Sequence, residues 1–440
     1  TLADTGDVHT VAGGEHGGAD LVADVQVSSV IKLELLEDAQ SLASLLAVTQ
    51  LGLGELALGD FLKSQLNGDI AVLLHGLLLH DGAGACLDDS DRDDLAGFIE
   101  DLGKQDTNGG RRPSIYGLRS SAGYFVGTDI GRSTVSICIT DFKGNPVAFY
   151  PDLPFKAESS EASFRALCKL IKTQISKSGI QPDCILAHGV NLSGRVNNET
   201  GYCFTYFIGE DQPIASLLED ELNTPVFLEN DSRAMTYGEY LCGGSHGEKD
   251  MLFLNVTWGL GMGMVIDGKL SYGKSGFSGE IGHFPMMNNG QICHCGKTGC
   301  LETAASGSAA HRIVVEKLEA GQRSLLSDKF KKGEEITLVD ILNAAMEDDV
   351  LAIEAIEEIG TNLGRAIAGL INIFNPELVV IGGKVASVQD YLLLPIKSAV
   401  QKHSLSLINK DTKIKISKLG DKAGAIGACM LSRSKLLGLL

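Results

Sequence analysis

The 440-residue sequence has no apolar run approaching the roughly 20 residues that a membrane-spanning helix needs. Its first residues lack the basic-then-apolar order of a secretory leader. Both absences point to a cytoplasmic protein with no membrane partner. No Cys-x-x-Cys pair occurs, which disfavours a thioredoxin-like redox centre. Seven of the ten cysteines (86, 138, 168, 184, 203, 242 and 429) are scattered, as small buried residues are in a reducing compartment. Tryptophan occurs once, at position 258. Basic residues are scarce only at the start: residues 1–110 carry 20 Asp and Glu against 4 Lys and Arg, whereas the remaining 330 carry 36 against 33. The chain therefore reads as a strongly acidic head on a nearly neutral body.

Apolar residues make up 44% of the chain, enough for large cores and two or three domains. Residues 1–96 form an atypical acidic region. Leu33–Leu66 has some helical periodicity, but Gly52, Gly54 and Gly59 each weaken a helix by about 1 kcal/mol relative to Ala. From Gly97 to Leu118 the text changes to a strand, a turn, a second short strand and a basic connector containing Gly and Pro.

After Ser121 strands and helices alternate. Residues 123–150 read as a hairpin-rich β segment with turns at Asp129-Ile130-Gly131 and Lys143-Gly144-Asn145. Residues 159–179 read as an amphipathic helix with Phe164, Leu167, Leu170, Ile171 and Ile175 on one face. CILAHGV and TPVFLEN read as buried strands, and a helix is expected just after Asn230. The β pattern restarts at MLFLNVTWGLGMGMVIDGKL. A helix, a proline stop and a strand follow in LGRAIAGLINIFNPELVVIGGKV. Two hairpin-then-helix lobes in succession predict duplicated α/β domains around a cleft.

The run ICHCGKTGC places Cys293, Cys295 and Cys300 on a glycine-punctuated loop, with His283 ten residues before the first. One histidine and three cysteines match the tetrahedral N/S ligand set of structural zinc. Packed or oxidised cysteines are the alternative; close clustering in a cytosolic chain favours a metal.

SGEIGH with CHCGKTGCLE, preceded by LENDSRAM and VGTDIG and followed by NPELVVIGG, resembles the ROK family of repressors, uncharacterised reading frames and sugar kinases, over residues 97–437. The resemblance implies duplicated actin-like ATPase (ribonuclease-H-like) domains with a central cleft, preceded by an atypical N-terminal region and a remnant winged-helix wing. The expected organisation is the acidic region 1–96, wing and linker 97–121, first lobe 122–245, second lobe with the zinc loop 246–421, and a C-terminal helix 422–440 packing back on the first lobe. The family's sugar site falls on Gly194, Asn230, Asp231, Glu280, His283 and Glu302, and its zinc on His283, Cys293, Cys295 and Cys300. The histidine would hold the ion by one ring nitrogen and face the sugar with the other. Where the family usually has Pro before the loop glycine, this chain has Ser193. Taken singly, Glu280 and Glu302 would read as solvated acids.

A kinase of this family would use Asp231 as general base, with ATP and Mg²⁺ held by two glycine-rich β-turns. The first, Asp-x-Gly-Gly-Thr in kinases, reads DIGRS here, with Arg132 and Ser133 at its end. The second, Gly-Thr-Gly, aligns with Thr257-Trp258-Gly259, bringing about 200 Å² of ring into the space a phosphate needs. ATP turnover is therefore not expected. The expectation is a sugar-responsive regulator with a monosaccharide or sugar-phosphate effector, an operator DNA partner, and a homodimeric or homotetrameric assembly. Glucose, N-acetylglucosamine, xylose and phosphorylated sugars all stay open. TNGGRRPSIYGL resembles the segment joining a winged helix-turn-helix to the sensor body of such repressors. Lys104, Arg111 and Arg112 would there meet DNA phosphates.

Residues 1–96 offer no recognition helix, and their charge is wrong for lying on DNA. Three readings compete: an altered reading frame ahead of Gly97, an acidic partner-binding region, or a divergent DNA-binding head. The absent initial Met and the abrupt change of character favour the first.

Overall fold

The structure is a computed structural model, and it describes residues 97–104, 114–206 and 212–440. The expectations for residues 1–96, Arg111 and Arg112 lie outside the described residues.

Two five-stranded sheets repeat one topology. The first is built from β3 (Tyr124–Ile130), β4 (Thr134–Asp141), β5 (Pro146–Pro154), β6 (Ile185–Leu192) and β9 (Val226–Asn230), ordered β5-β4-β3-β6-β9, with the short hairpin β7 (Val196–Asn197) and β8 (Tyr202–Cys203) falling between β6 and β9 in the chain. The second uses β10 (Met251–Val256), β11 (Leu260–Ile266), β12 (Lys269–Leu270), β13 (Leu378–Gly382) and β14 (Lys413–Ile416), ordered β12-β11-β10-β13-β14. In each, three antiparallel strands lead and two parallel strands follow. Every residue of β6, β10 and β13 is buried, as strands covered on both faces require. The duplicated α/β architecture is as expected.

Helices cover these sheets: α1 (Glu161–Ser178), α2 (Ile214–Leu222), α3 (Asp231–Cys242), α4 (Gly307–Glu319), α5 (Leu338–Met346), α6 (Val350–Phe374), α7 (Asp390–His403) and α8 (Ala423–Leu436). Ser160 caps α1 by accepting from the Ser163 N–H, and Gly179, in the left-handed region, ends it. The buried face of α1 is Leu167, Cys168, Ile171, Gln174 and Ile175, while Phe164 and Leu170 sit at its margin. Helix α8 lies directly on the first sheet. A methyl group at Gly127 would collide with the Ala425 carbonyl, and one at Gly189 with that of Ala428, so glycine on two neighbouring strands permits the approach.

Three expectations need correction. Asp129 and Ile130 complete β3, and the turn falls at residues 131–133, because the ladder with β4 runs on through Ile130↔Val135. Helix α6 begins at Val350, well before Leu363, because Leu351, Ala355, Ile359 and Leu363 continue its buried stripe. In the 97–118 segment the second strand is β2 (Ser114–Leu118), paired antiparallel with β1 (Ile99–Lys104). This hairpin is anchored on the first lobe: the Phe98 ring lies 5.4 Å from that of Phe142, and Lys143 pairs with Glu100 at 2.9 Å. Among the described residues no helix is long and apolar enough to cross a membrane.

Candidate functional site

Strand β9 runs straight into α3, and that junction presents Asn230 and Asp231. The Asn230 side-chain oxygen caps α3 by accepting from the Arg233 N–H at 3.2 Å. Its amide nitrogen donates to the Gly194 carbonyl at 2.9 Å and to Asp231 Oδ1 at 3.0 Å. Gly194 itself sits at φ +97°, a conformation that a side chain would strain. A buried Glu229–Arg233 ion pair, 2.7 Å, stiffens the turn from beneath. Asp231 Oδ2 accepts from Ser193 Oγ at 2.7 Å, so the serine that departs from the family pattern ties the loop to the carboxylate. Burial raises the Asp231 pKa above the usual carboxylate range, against hydrogen bonds from Ser193 and Ser232. A carboxyl in this setting can accept a hydrogen bond from a hydroxyl group, and when ionised it can take up a proton.

The ligand atoms of His283, Cys293, Cys295 and Cys300 all lie within 4.8 Å of one another. His283 Nδ1 is 3.6 Å from Cys293 Sγ, and Cys295 Sγ is 3.6 Å from Cys300 Sγ. Sulfurs about 2.3 Å from one tetrahedral ion lie about 3.8 Å apart, so the donor set fits zinc. Gly296 and Gly299, at φ +83° and +80°, supply the tight turns. Burial pushes the Cys293 thiol up to about 12 and the Cys300 thiol up as well, whereas the Lys297 N–H lowers that of Cys295; a bound cation would favour all three thiolates. The other ring nitrogen of His283, Nε2, points to Glu280 Oε2 at 4.0 Å.

Glu280 and Glu302 differ sharply. Glu280 is exposed, whereas Glu302 is 8% exposed and accepts from the Leu260 N–H at 3.0 Å through Oε2. Its Oε1 meets His294 Nδ1 at 2.8 Å. His294 is a neighbour that the sequence reading passed over, although it sits inside the cysteine run.

All six candidate sugar residues, Gly194, Asn230, Asp231, Glu280, His283 and Glu302, line one cleft of about 1010 Å³. Asp129 and Trp258 line it too. Burial and the carboxylates of Asp231, Asp152 and Asp421 push Asp129 up to about 7. Trp258 is 37% exposed, so the indole narrows this space without sealing it. The Thr257 and Trp258 carbonyls accept from the Gly307 and Ser308 N–H groups, fastening the β10–β11 turn to the start of α4. Of the three expected DNA-contacting residues only Lys104 lies among the described residues, exposed at the end of β1.

The ROK family model matches residues 125–435. A xylose repressor of Caldicellulosiruptor bescii is 30% identical over 350 residues, covering 78% of this chain and 86% of that protein. A glucokinase of Halalkalibacterium halodurans is 31% identical over 315 residues, covering 71% of this chain and 96% of that one. The crystal structure of a ROK family transcriptional regulator, a homologue of the E. coli MLC protein, matches with a TM-score of 0.67 at 28% identity, covering 79% of this chain and 88% of that one. With most of the chain matched and the twin sheets and cysteine loop in place, this chain belongs to the ROK family.

Proposed function

We propose that this chain is a sugar-responsive transcriptional regulator whose carbohydrate effector binds in the cleft beside a structural zinc. The observation carrying this reading is the convergence of five polar side chains and the Gly194 backbone on one cleft, with His283 turning one nitrogen to the cysteines and the other to Glu280. Zinc on Nδ1 would fix the imidazole, as partners of a ligating histidine do elsewhere. Sites that pair each hydroxyl discriminate strongly against sugars lacking one. The similarity to a xylose repressor supports a pentose effector, and that to a glucokinase supports a hexose.

In this reading residues 97–121 are wing and linker, supported by the bulged β1–β2 hairpin. Residues 122–245 and 246–421 are the lobes, and 422–440 returns to the first. Sugar then favours one cleft shape by its differential affinity, and paired subunits carry that shape change to operator DNA.

An ATP-dependent hexose kinase is the second reading. The raised pKa of Asp231 and the similarity to a glucokinase favour it; Arg132 and Trp258 at the two turns oppose it. Fluorescence of Trp258, the sole tryptophan, separates the two. Saturable quenching by a hexose, with none by ATP, is the expected result. Saturable quenching by ATP favours the kinase.

A further inference from the structure

Two cation contacts cross the cleft from opposite sides. From the first sheet, Arg132 on the β3–β4 turn places its guanidinium 4.6 Å from the ring centroid of Trp258, on the β10–β11 turn of the second. From the second sheet, Lys384 just beyond β13 reaches back. Its Nζ lies 3.9 Å from Asp152 Oδ2 on β5, the contact that crosses the cleft, while Asp421 Oδ2, in the turn before α8 and within the second lobe, braces it at 3.6 Å.

The indole is a fixed target. Its ring lies 5.4 Å from that of His311 on α4, and its backbone is bonded to the first turn of that helix. The N–H groups of Gly307, Ser308 and Ala309 already have acceptors in Thr257, Trp258 and Ser306, so this helix start offers no free donor to an incoming phosphate. Where a kinase's two β-turns would share phosphates, these two share a guanidinium and an indole.

We infer that Arg132 and Lys384 are positioning residues for the carbohydrate cleft, clasping its two sheets together without a nucleotide. The inference rests on the carbohydrate reading above. Each contact is partly exposed: Lys384, Asp152 and Asp421 keep 38%, 59% and 61% of their side-chain surface. Each therefore contributes modestly and is screened by salt. A clasp of this strength acts as a population bias. Apparent sugar affinity scales with the fraction of molecules already closed, so loosening the clasp raises Kd without touching a sugar-binding side chain.

The test uses metal-replete full-length protein, with D-glucose, N-acetyl-D-glucosamine and D-xylose as probes. Arg132→Ala should raise the acrylamide accessibility of Trp258. Arg132→Ala and Lys384→Ala should each weaken the bound sugar by about threefold to tenfold. Wild-type affinity should fall between low and high NaCl, and the double variant should lose most of that dependence, which a merely structural role would not produce. Unchanged sugar affinity in both single variants overturns the inference. If the wild-type chain binds none of the three sugars, the carbohydrate reading falls instead. Accessibility of Trp258 in Arg132→Ala then decides the clasp, and an unchanged value overturns it.

Discussion

Replacing Cys295 by serine should strip the chain of zinc and weaken sugar binding by more than tenfold. A serine hydroxyl does not replace a thiolate as a zinc ligand near neutral pH, and three remaining donors hold the ion poorly. The loop has little else to keep its shape. Its internal bonds are a few backbone contacts, such as Cys293 N–H to the Lys297 carbonyl at 2.8 Å and Met287 N–H to the Gly299 carbonyl at 3.0 Å. Ile292, which opens the cysteine run, is 75% exposed and adds no packing to hold it. Without the ion the His283 imidazole is free to turn, and Nε2 loses its bearing on the cleft. Metal analysis should find about one zinc per chain in the wild type and almost none in the variant, and calorimetry should follow the sugar. Sugar affinity retained in metal-free variant protein would sever the link between metal and sugar site.

Asp231→Ala should cost about 1–3 kcal/mol of sugar binding, roughly fivefold to 150-fold in Kd. The carboxylate collects the Ser193 hydroxyl at 2.7 Å, the Ser232 N–H at 2.7 Å and the Asn230 amide at 3.0 Å. Truncation removes an acceptor for a sugar hydroxyl and leaves these three donors competing for water in a half-buried site. Asp231→Asn keeps one acceptor oxygen and should fall between alanine and the wild type. Wild-type affinity in Asp231→Ala, measured by calorimetry, would show that this carboxylate does not touch the sugar.

The parts of this site legible in the sequence are those made by neighbours along the chain. Cys293, Cys295 and Cys300 share one loop, and the glycines that fold it stand between them. Asn230 and Asp231 announce themselves by ending an apolar strand and capping a helix. Contacts between distant segments were not legible. Glu280 and Glu302 look alike in sequence; a bond from Leu260, 42 positions away, separates the buried acid from the exposed one. Ser193 reads as a departure from a pattern, and only its bond to Asp231, 38 positions on, reveals what it contributes. Lys384 gave no signal because both its carboxylates come from other elements. Helix α8 lacks a polar face because it is buried nearly all round, so the 3.6-residue period fails there.

In the regulator proposed above, the cleft senses a sugar and does not phosphorylate it. Coupled ADP release, followed over a hexose panel with ATP and Mg²⁺ on metal-replete protein, tests that claim most directly. Background rates are expected with every sugar, including any that quenches Trp258. Steady ADP release that depends on the sugar and disappears in Asp231→Ala would contradict it.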